Sequence, residues 1–256
     1  MEVLLGITGA VIGSFLNVCI YRIPRGQSLI RPGSRCPSCL TPIPFYLNVP
    51  ILSYVMLRGR CHACRRPIPS RYPLVEIISA ALTLATYWRF GLTAPFFFYL
   101  IFIYFLIVIS FIDLDTQLIH NRLLLTLLIS GVALNAVLAV HPWKESFLGF
   151  LVGGGTLLAC AILGKLLFHK EALGMGDVKL AAVAGFFLGW KMVVYALGFS
   201  FFLTLILLIL ALPFTRWRWG QYIPFGPFLA LGWIIFVYWG SQLVRWYWQY
   251  LIVYPG

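Results

Sequence analysis

Acidic residues are scarce in this chain. Only seven of its 256 residues are Asp or Glu, and charged residues of either sign make up 10%. A soluble domain carries about 25% charged residues. With 61% hydrophobic residues, the chain could not cover itself with polar surface, which excludes a water-soluble globular fold. Two catalytic signatures are missing as well. There is no G-x-S-x-G, hence no serine nucleophile elbow. There is no glycine fingerprint of a dinucleotide-binding Rossmann unit. The opening "MEVLLGITGAVIGSFLNVCIYRIPRG" lacks the basic n-region of a cleavable signal and reads as a first membrane span. No internal repeat or low-complexity tract is evident.

What the chain has in abundance is long apolar runs. They predict an all-α polytopic membrane protein with about eight spans, at about 3–21, 73–90, 96–114, 122–140, 147–168, 178–190, 192–213 and 225–251. The 178–190 run is short for a core about 30 Å thick. Net charge is +12, and nine Arg with no acid lie between Arg22 and Tyr72. In a chain of spans this pattern is the positive-inside signal rather than a nucleic-acid site. Contact with anionic lipid headgroups would add to it. It places the 22–72 segment in the cytoplasm and both termini outside. Lys170, Arg216 and Arg218 fall in expected inside loops, while Glu2, Glu145 and Glu171 read as solvated ends. Three parts follow: a first helix (1–21), a basic Cys-rich domain (22–72) and a transmembrane core (73–256).

Four of the six cysteines form two knuckles, "CPSC" at Cys36–Cys39 and "CHAC" at Cys61–Cys64. Paired C-x-x-C at this spacing predicts a four-thiolate zinc site. On the cytoplasmic side thiols stay reduced, so disulfides are the poorer reading. Four thiolates leave no open position, so the metal is structural. Cys19 and Cys160 sit within spans as packing residues.

The chain has three aspartates, Asp113, Asp115 and Asp177. Acids in membrane segments are rare and usually functional. Asp113 and Asp177 lie at the same-side ends of separate spans and could meet. Asp115 is about 200° around the helix from Asp113, so it is expected to be auxiliary. Gly174 and Gly176 in "GMGD" permit close approach by another segment. Lys179 either tunes the site or snorkels to the headgroups. Glu76 either pairs with a loop arginine or binds substrate. Two nearby carboxylates share one proton, which is the aspartic-protease arrangement.

Taken in order, the motifs resemble those of the type IV prepilin peptidases, the membrane aspartic proteases that process prepilins and the pseudopilins of type II secretion. They are "GSFLNVCIYRIP" (Gly13–Pro24), the double C-x-x-C, "NVPILSYVMLRGRC", "SRYPLVE", "FIDLD", "GMGD" and "IPFGPFLALG" (Ile223–Gly232). The resemblance implies a bacterial inner-membrane enzyme with Asp113 and Asp177 as catalytic pair. It implies cleavage of a short basic leader after a glycine, on the cytoplasmic side, ahead of an apolar helix. It also implies N-methylation of the new terminus with S-adenosylmethionine, an activity to which Gly59 is linked. One departure stands out: where the family commonly has Pro-Asp after the first aspartate motif, this chain has His120-Asn121. Two other classes are weighed against this reading. A proton-coupled transporter would spread polar residues through the mid-membrane region. A non-catalytic zinc-loop scaffold of pilus assembly would not need the aspartates.

Overall fold

The computed structural model describes residues 1–169, 173–211 and 224–253. Lys170, Glu171, Arg216 and Arg218 lie outside the described residues. The described residues form helices α1 (Glu2–Arg22), α2 (Leu52–Met56), α3 (Arg71–Phe90), α4 (Ala94–Thr116), α5 (Asn121–Leu138), α6 (Trp143–Phe168), α7 (Met175–Leu188), α8 (Trp190–Ala211) and α9 (Gly226–Tyr247). Among them no strand occurs. The eight long helices follow the eight apolar runs in order. Six of them, α1, α4, α5, α6, α8 and α9, are long and apolar enough to cross a bilayer. The chain divides into two compact units, Met1–Leu92 and Thr93–Gly256.

In the first unit α1 and α3 pack along a seam of small residues. A Cβ at Gly9 would lie 2.9 Å from Ala80 Cα, and one at Gly13 would lie 2.8 Å from Glu76 Cα. Small residues let helix backbones approach closely where lipid offers no hydrophobic drive to association. Asn17, one turn beyond Gly13, donates from Nδ2 to the Tyr72 carbonyl at 2.9 Å.

The second unit is organised around α7. This 14-residue helix is about 21 Å long at 1.5 Å per residue, shorter than a bilayer core. Val178 and every residue from Leu180 to Leu188 is buried, and a helix apolar on all sides must be enclosed by others. On one side it meets α6 through glycines: the Gly149 and Gly185 backbones touch, and Gly153 abuts the Ala181 carbonyl. On the other, Phe187 stacks on Phe102 with ring centroids 4.6 Å apart. Phe187 also closes on Gly131 of α5, where a Cβ would lie 2.6 Å from its ring. The expected span at 178–190 begins earlier than the apolar run suggests. Gly174, extended at the N-cap, starts the helix at Met175, so Asp177 belongs to its first turn and not to a loop.

Backbone-to-backbone contact leaves no flexible atom to yield. Gly149→Val is therefore expected to destabilise the second unit by about 1–3 kcal/mol or more. Thermal unfolding in detergent reads this as a lowered midpoint. Gly155→Ala, which would meet nothing within 4 Å, should leave the midpoint unchanged. An unchanged midpoint for Gly149→Val would contradict the packing described.

Candidate active site

Asp113 lies in the last turn of α4 and Asp177 in the first turn of α7. They are 4% and 5% exposed, and the two carboxylates are close enough for the charge of one to act on the other. Each is met by the start of a helix. The Gly226 N–H, which opens α9, donates to Asp113 Oδ2 at 3.0 Å. Asp177, in the first turn of α7, lies beside the Gly174 backbone that caps the helix. The first N–H groups of a helix have no partner within it and carry partial positive charge, so they favour an anion there. Glycine is required at 226 by contact: a Cβ would sit 2.8 Å from Asp113 Oδ2.

The remaining expected residues separate around this pair. Asp115 is exposed, as its angular offset from Asp113 requires. Gly176 packs under Ile119 of the α4–α5 loop, with 3.0 Å between a notional Cβ and Ile119 Cβ. Lys179 donates from Nζ to Asn121 Oδ1 at 3.0 Å, so its ammonium is engaged by α5. The His120-Asn121 departure thus supplies a neutral acceptor for Lys179. Gly226 was not singled out from sequence. Its signal was "FGP", a glycine followed by a proline that sits in the first turn of α9.

The cysteines gather in the first unit. Sγ of Cys36, Cys39, Cys61 and Cys64 all lie within 4.8 Å of one another, with Cys36–Cys64 at 3.8 Å and Cys39–Cys61 at 4.0 Å. A tetrahedral ion with metal–sulfur bonds of about 2.3 Å needs sulfurs about 3.8 Å apart, so the four residues fit one. The two knuckles are built alike. Cys36 N–H bonds the Thr41 carbonyl and Cys61 N–H the Arg66 carbonyl, while Leu40 N–H returns to Cys36 and Arg65 N–H to Cys61. Leu40 and Arg65 both take φ 59°. "RCPSCLTP" and "RCHACRRP" are therefore a local structural repeat, contrary to the expectation of none. The repeat is too short to register as a periodicity, but the shared R-C-x-x-C-x-x-P frame carries it.

Thiolates bind metal and thiols do not. Hydrogen bonds from the Thr41 side chain and backbone bring Cys39 down to about 6. Backbone hydrogen bonds from Cys64 and Ala63 lower Cys61. At Cys64 the Arg66 backbone acts in the same sense, but desolvation and three neighbouring sulfurs outweigh it and push the thiol to about 11. The surroundings thus favour the thiolate at Cys39 and Cys61 and oppose it at Cys64. Gly59, at φ +66°, sits just before the second knuckle, where a Cβ would lie 3.0 Å from the Tyr54 hydroxyl.

Comparison with known proteins adds to these observations. The Bacterial Peptidase A24 N-terminal domain matches residues 7–90, and the Type IV leader peptidase family matches residues 100–212. A prepilin leader peptidase/N-methyltransferase of Aeromonas hydrophila is 35% identical over 268 positions, covering 93% of this chain and 90% of that protein. One from Neisseria gonorrhoeae is 35% identical over 259 positions, covering 91% and 89%. One from Myxococcus xanthus is 38% identical over 198 positions, covering 77% of this chain and 59% of that protein. No solved structure matches the chain.

If the four sulfurs hold one ion, Cys39→Ser should lower bound metal from near one equivalent to well under half, by elemental analysis of purified protein. A strong chelator should release the ion and make the 23–70 segment sensitive to protease. Metal retained at one equivalent in Cys39→Ser would exclude the four-sulfur site.

Proposed function

The chain belongs to the type IV leader peptidase family, and on that premise we propose that Asp113 and Asp177 are the catalytic pair with which it removes the leaders of prepilins. The observation that carries this reading is the burial of two carboxylates from separate helices within electrostatic reach of each other. Two such groups share a proton. The ionised member takes a proton from a water, and the resulting hydroxide adds to the scissile carbonyl carbon. The protonated member gives its proton to the carbonyl oxygen. As the tetrahedral intermediate collapses, the C–N bond breaks and the leaving nitrogen takes up a proton from the pair. The Gly226 N–H holds the Asp113 carboxylate, and the start of α7 faces Asp177, which keeps the pair aimed. Asp115, Gly174, Gly176 and Lys179 are auxiliary: the glycines admit the neighbouring segment, and Lys179 ties α7 to α5.

The enzyme is a multi-pass protein of the bacterial inner membrane, with its Cys-rich segment in the cytoplasm and both termini outside. Its substrates carry a short basic leader and are cut after a glycine, just before an apolar helix. The ion held by Cys36, Cys39, Cys61 and Cys64 is zinc, in a structural role, because the segment has little apolar core of its own and the metal supplies folding energy. The new N-terminus is then methylated. S-adenosylmethionine supplies the methyl group as an electrophilic sulfonium. Gly59 supports this second activity by holding Tyr54 in place, since any side chain there would press on its ring.

Asp113→Asn and Asp177→Asn should each lower the rate of leader removal by on the order of 10³-fold, measured on a prepilin in lipid nanodiscs. Asp115→Asn should stay within a few-fold of wild type. Gly226→Ala displaces a charge-assisted hydrogen bond and should lower the rate roughly ten- to hundredfold. Near wild-type cleavage by either Asn variant at 113 or 177 would overturn the pair and reopen the scaffold reading.

A further inference from the structure

The first unit has an open cavity of about 910 Å³ lined by α1, the Cys-rich segment and the start of α3. Ligand sites commonly span about 300–1,000 Å³. Its lining includes Ser14, Asn17, Tyr72 and Glu76 together with Arg22, Arg31, Arg35 and Arg66. Glu76 is 8% exposed. Its Oε2 accepts the Ile51 N–H at 2.7 Å, and the Ser14 hydroxyl is directed at the same carboxylate. The expected arginine partner is not there: among the described residues no Lys or Arg pairs with Glu76, although nine Arg lie between Arg22 and Tyr72. On the same wall Asn17, 4% exposed, gives its Nδ2 to Tyr72 and leaves Oδ1 without a partner. A buried carboxylate without a counter-ion is strongly unfavourable. The acceptors at this corner, the Glu76 carboxylate and Asn17 Oδ1, have no cationic partner although four arginines line the cavity, so they suit a ligand group that brings donors and positive charge.

We infer that this cavity receives a primary ammonium, that Glu76 is the group that holds it, and that the ammonium is the α-amino group exposed by leader removal. The inference rests on the methyl-transfer reading given above. The chemistry needs such a carboxylate. An α-ammonium has no lone pair and cannot attack. Glu76 takes one of its protons, and the neutral nitrogen then attacks the methyl carbon of the sulfonium donor. The N–C bond forms as the C–S bond breaks, the bonding pair goes to sulfur, and the donor leaves as a neutral thioether. The nitrogen is left as a secondary ammonium, and the proton on Glu76 passes to water. Arg31 and Arg35, which also line the cavity, suit the carboxylate of an amino-acid-like donor.

The test uses the full-length protein in nanodiscs and a synthetic mature pilin N-terminal peptide, so that methylation does not depend on cleavage. Wild type should methylate the peptide, seen by mass spectrometry. Glu76→Gln, which keeps the shape and the acceptor for Ile51, should methylate at least a hundredfold more slowly, with leader cleavage within twofold of wild type. Its remaining rate should climb with pH as the amine loses its own proton. Wild-type methylation rates in Glu76→Gln would overturn the inference. If wild type itself cleaves and does not methylate, the methyl-transfer reading fails instead. Binding supplies a second readout that does not depend on how the variant folds. Without donor, the free-amine peptide should bind wild type at least tenfold more tightly than its N-acetylated form. Equal binding of the two forms would overturn the inference. Loss of that preference only when an amino-bearing donor analogue is added would assign the ammonium site to the donor and overturn the choice of the pilin amine.

Discussion

Placing two carboxylates side by side in an apolar helical assembly is the constraint on which the second unit depends. Isolated, each would be driven to neutrality by desolvation, and together they repel. The fold answers with helix starts. α9 begins at the Asp113 carboxylate and α7 begins around Asp177, so unpaired N–H groups replace the water each acid has lost. A helix N-terminus contributes about 0.3–1 kcal/mol to an exposed anion and up to about 2 kcal/mol in partly buried geometry. No fixed cation is needed, and a fixed cation would have held both acids ionised and removed the shared proton.

Other features of that unit serve the same end. α7 is too short to span a bilayer, and its entry at Met175 sets how deep Asp177 lies. Its depth is fixed by contacts that cannot slide: Gly149 against Gly185, Gly153 against Ala181, and the Phe187 ring between Phe102 and Gly131. The α4–α5 loop is held at Gly176 by Ile119 and at Lys179 by Asn121. The first unit follows a different economy. Its Cys-rich segment leaves most of its apolar residues exposed, and two copies of one knuckle converge on four sulfurs in place of a core.

Much of this was legible in the sequence. Eight apolar runs became eight long helices in the same order, because in lipid a spanning segment must satisfy its own backbone. The two C-x-x-C pairs came together because each tight turn presents its sulfurs on one side. What escaped was tertiary. Gly226 is 113 positions from Asp113, and nothing local in "FGP" says which acid its N–H will meet. The start of α7 escaped because the apolar run begins only at Val178, whereas the N-cap that fixes the helix is a glycine with no side-chain signal. Charge alone left Glu76 open between an arginine partner and a substrate; its Oε2 accepts the Ile51 N–H, a partner that depends on how the loop packs against α3.

The most direct measurement of the central claim, that Asp113 and Asp177 act as one titrating pair, is the pH dependence of kcat/KM for leader removal. The active form holds a single proton between the two acids. The rate should therefore fall on the acid side as the pair gains a second proton, and on the alkaline side as it loses its last. The two apparent pKa values belong to the pair and not to either residue. A profile that rises through one limb and then stays level into the alkaline range, with the protein still folded, would mean that no shared proton takes part, and would contradict the account.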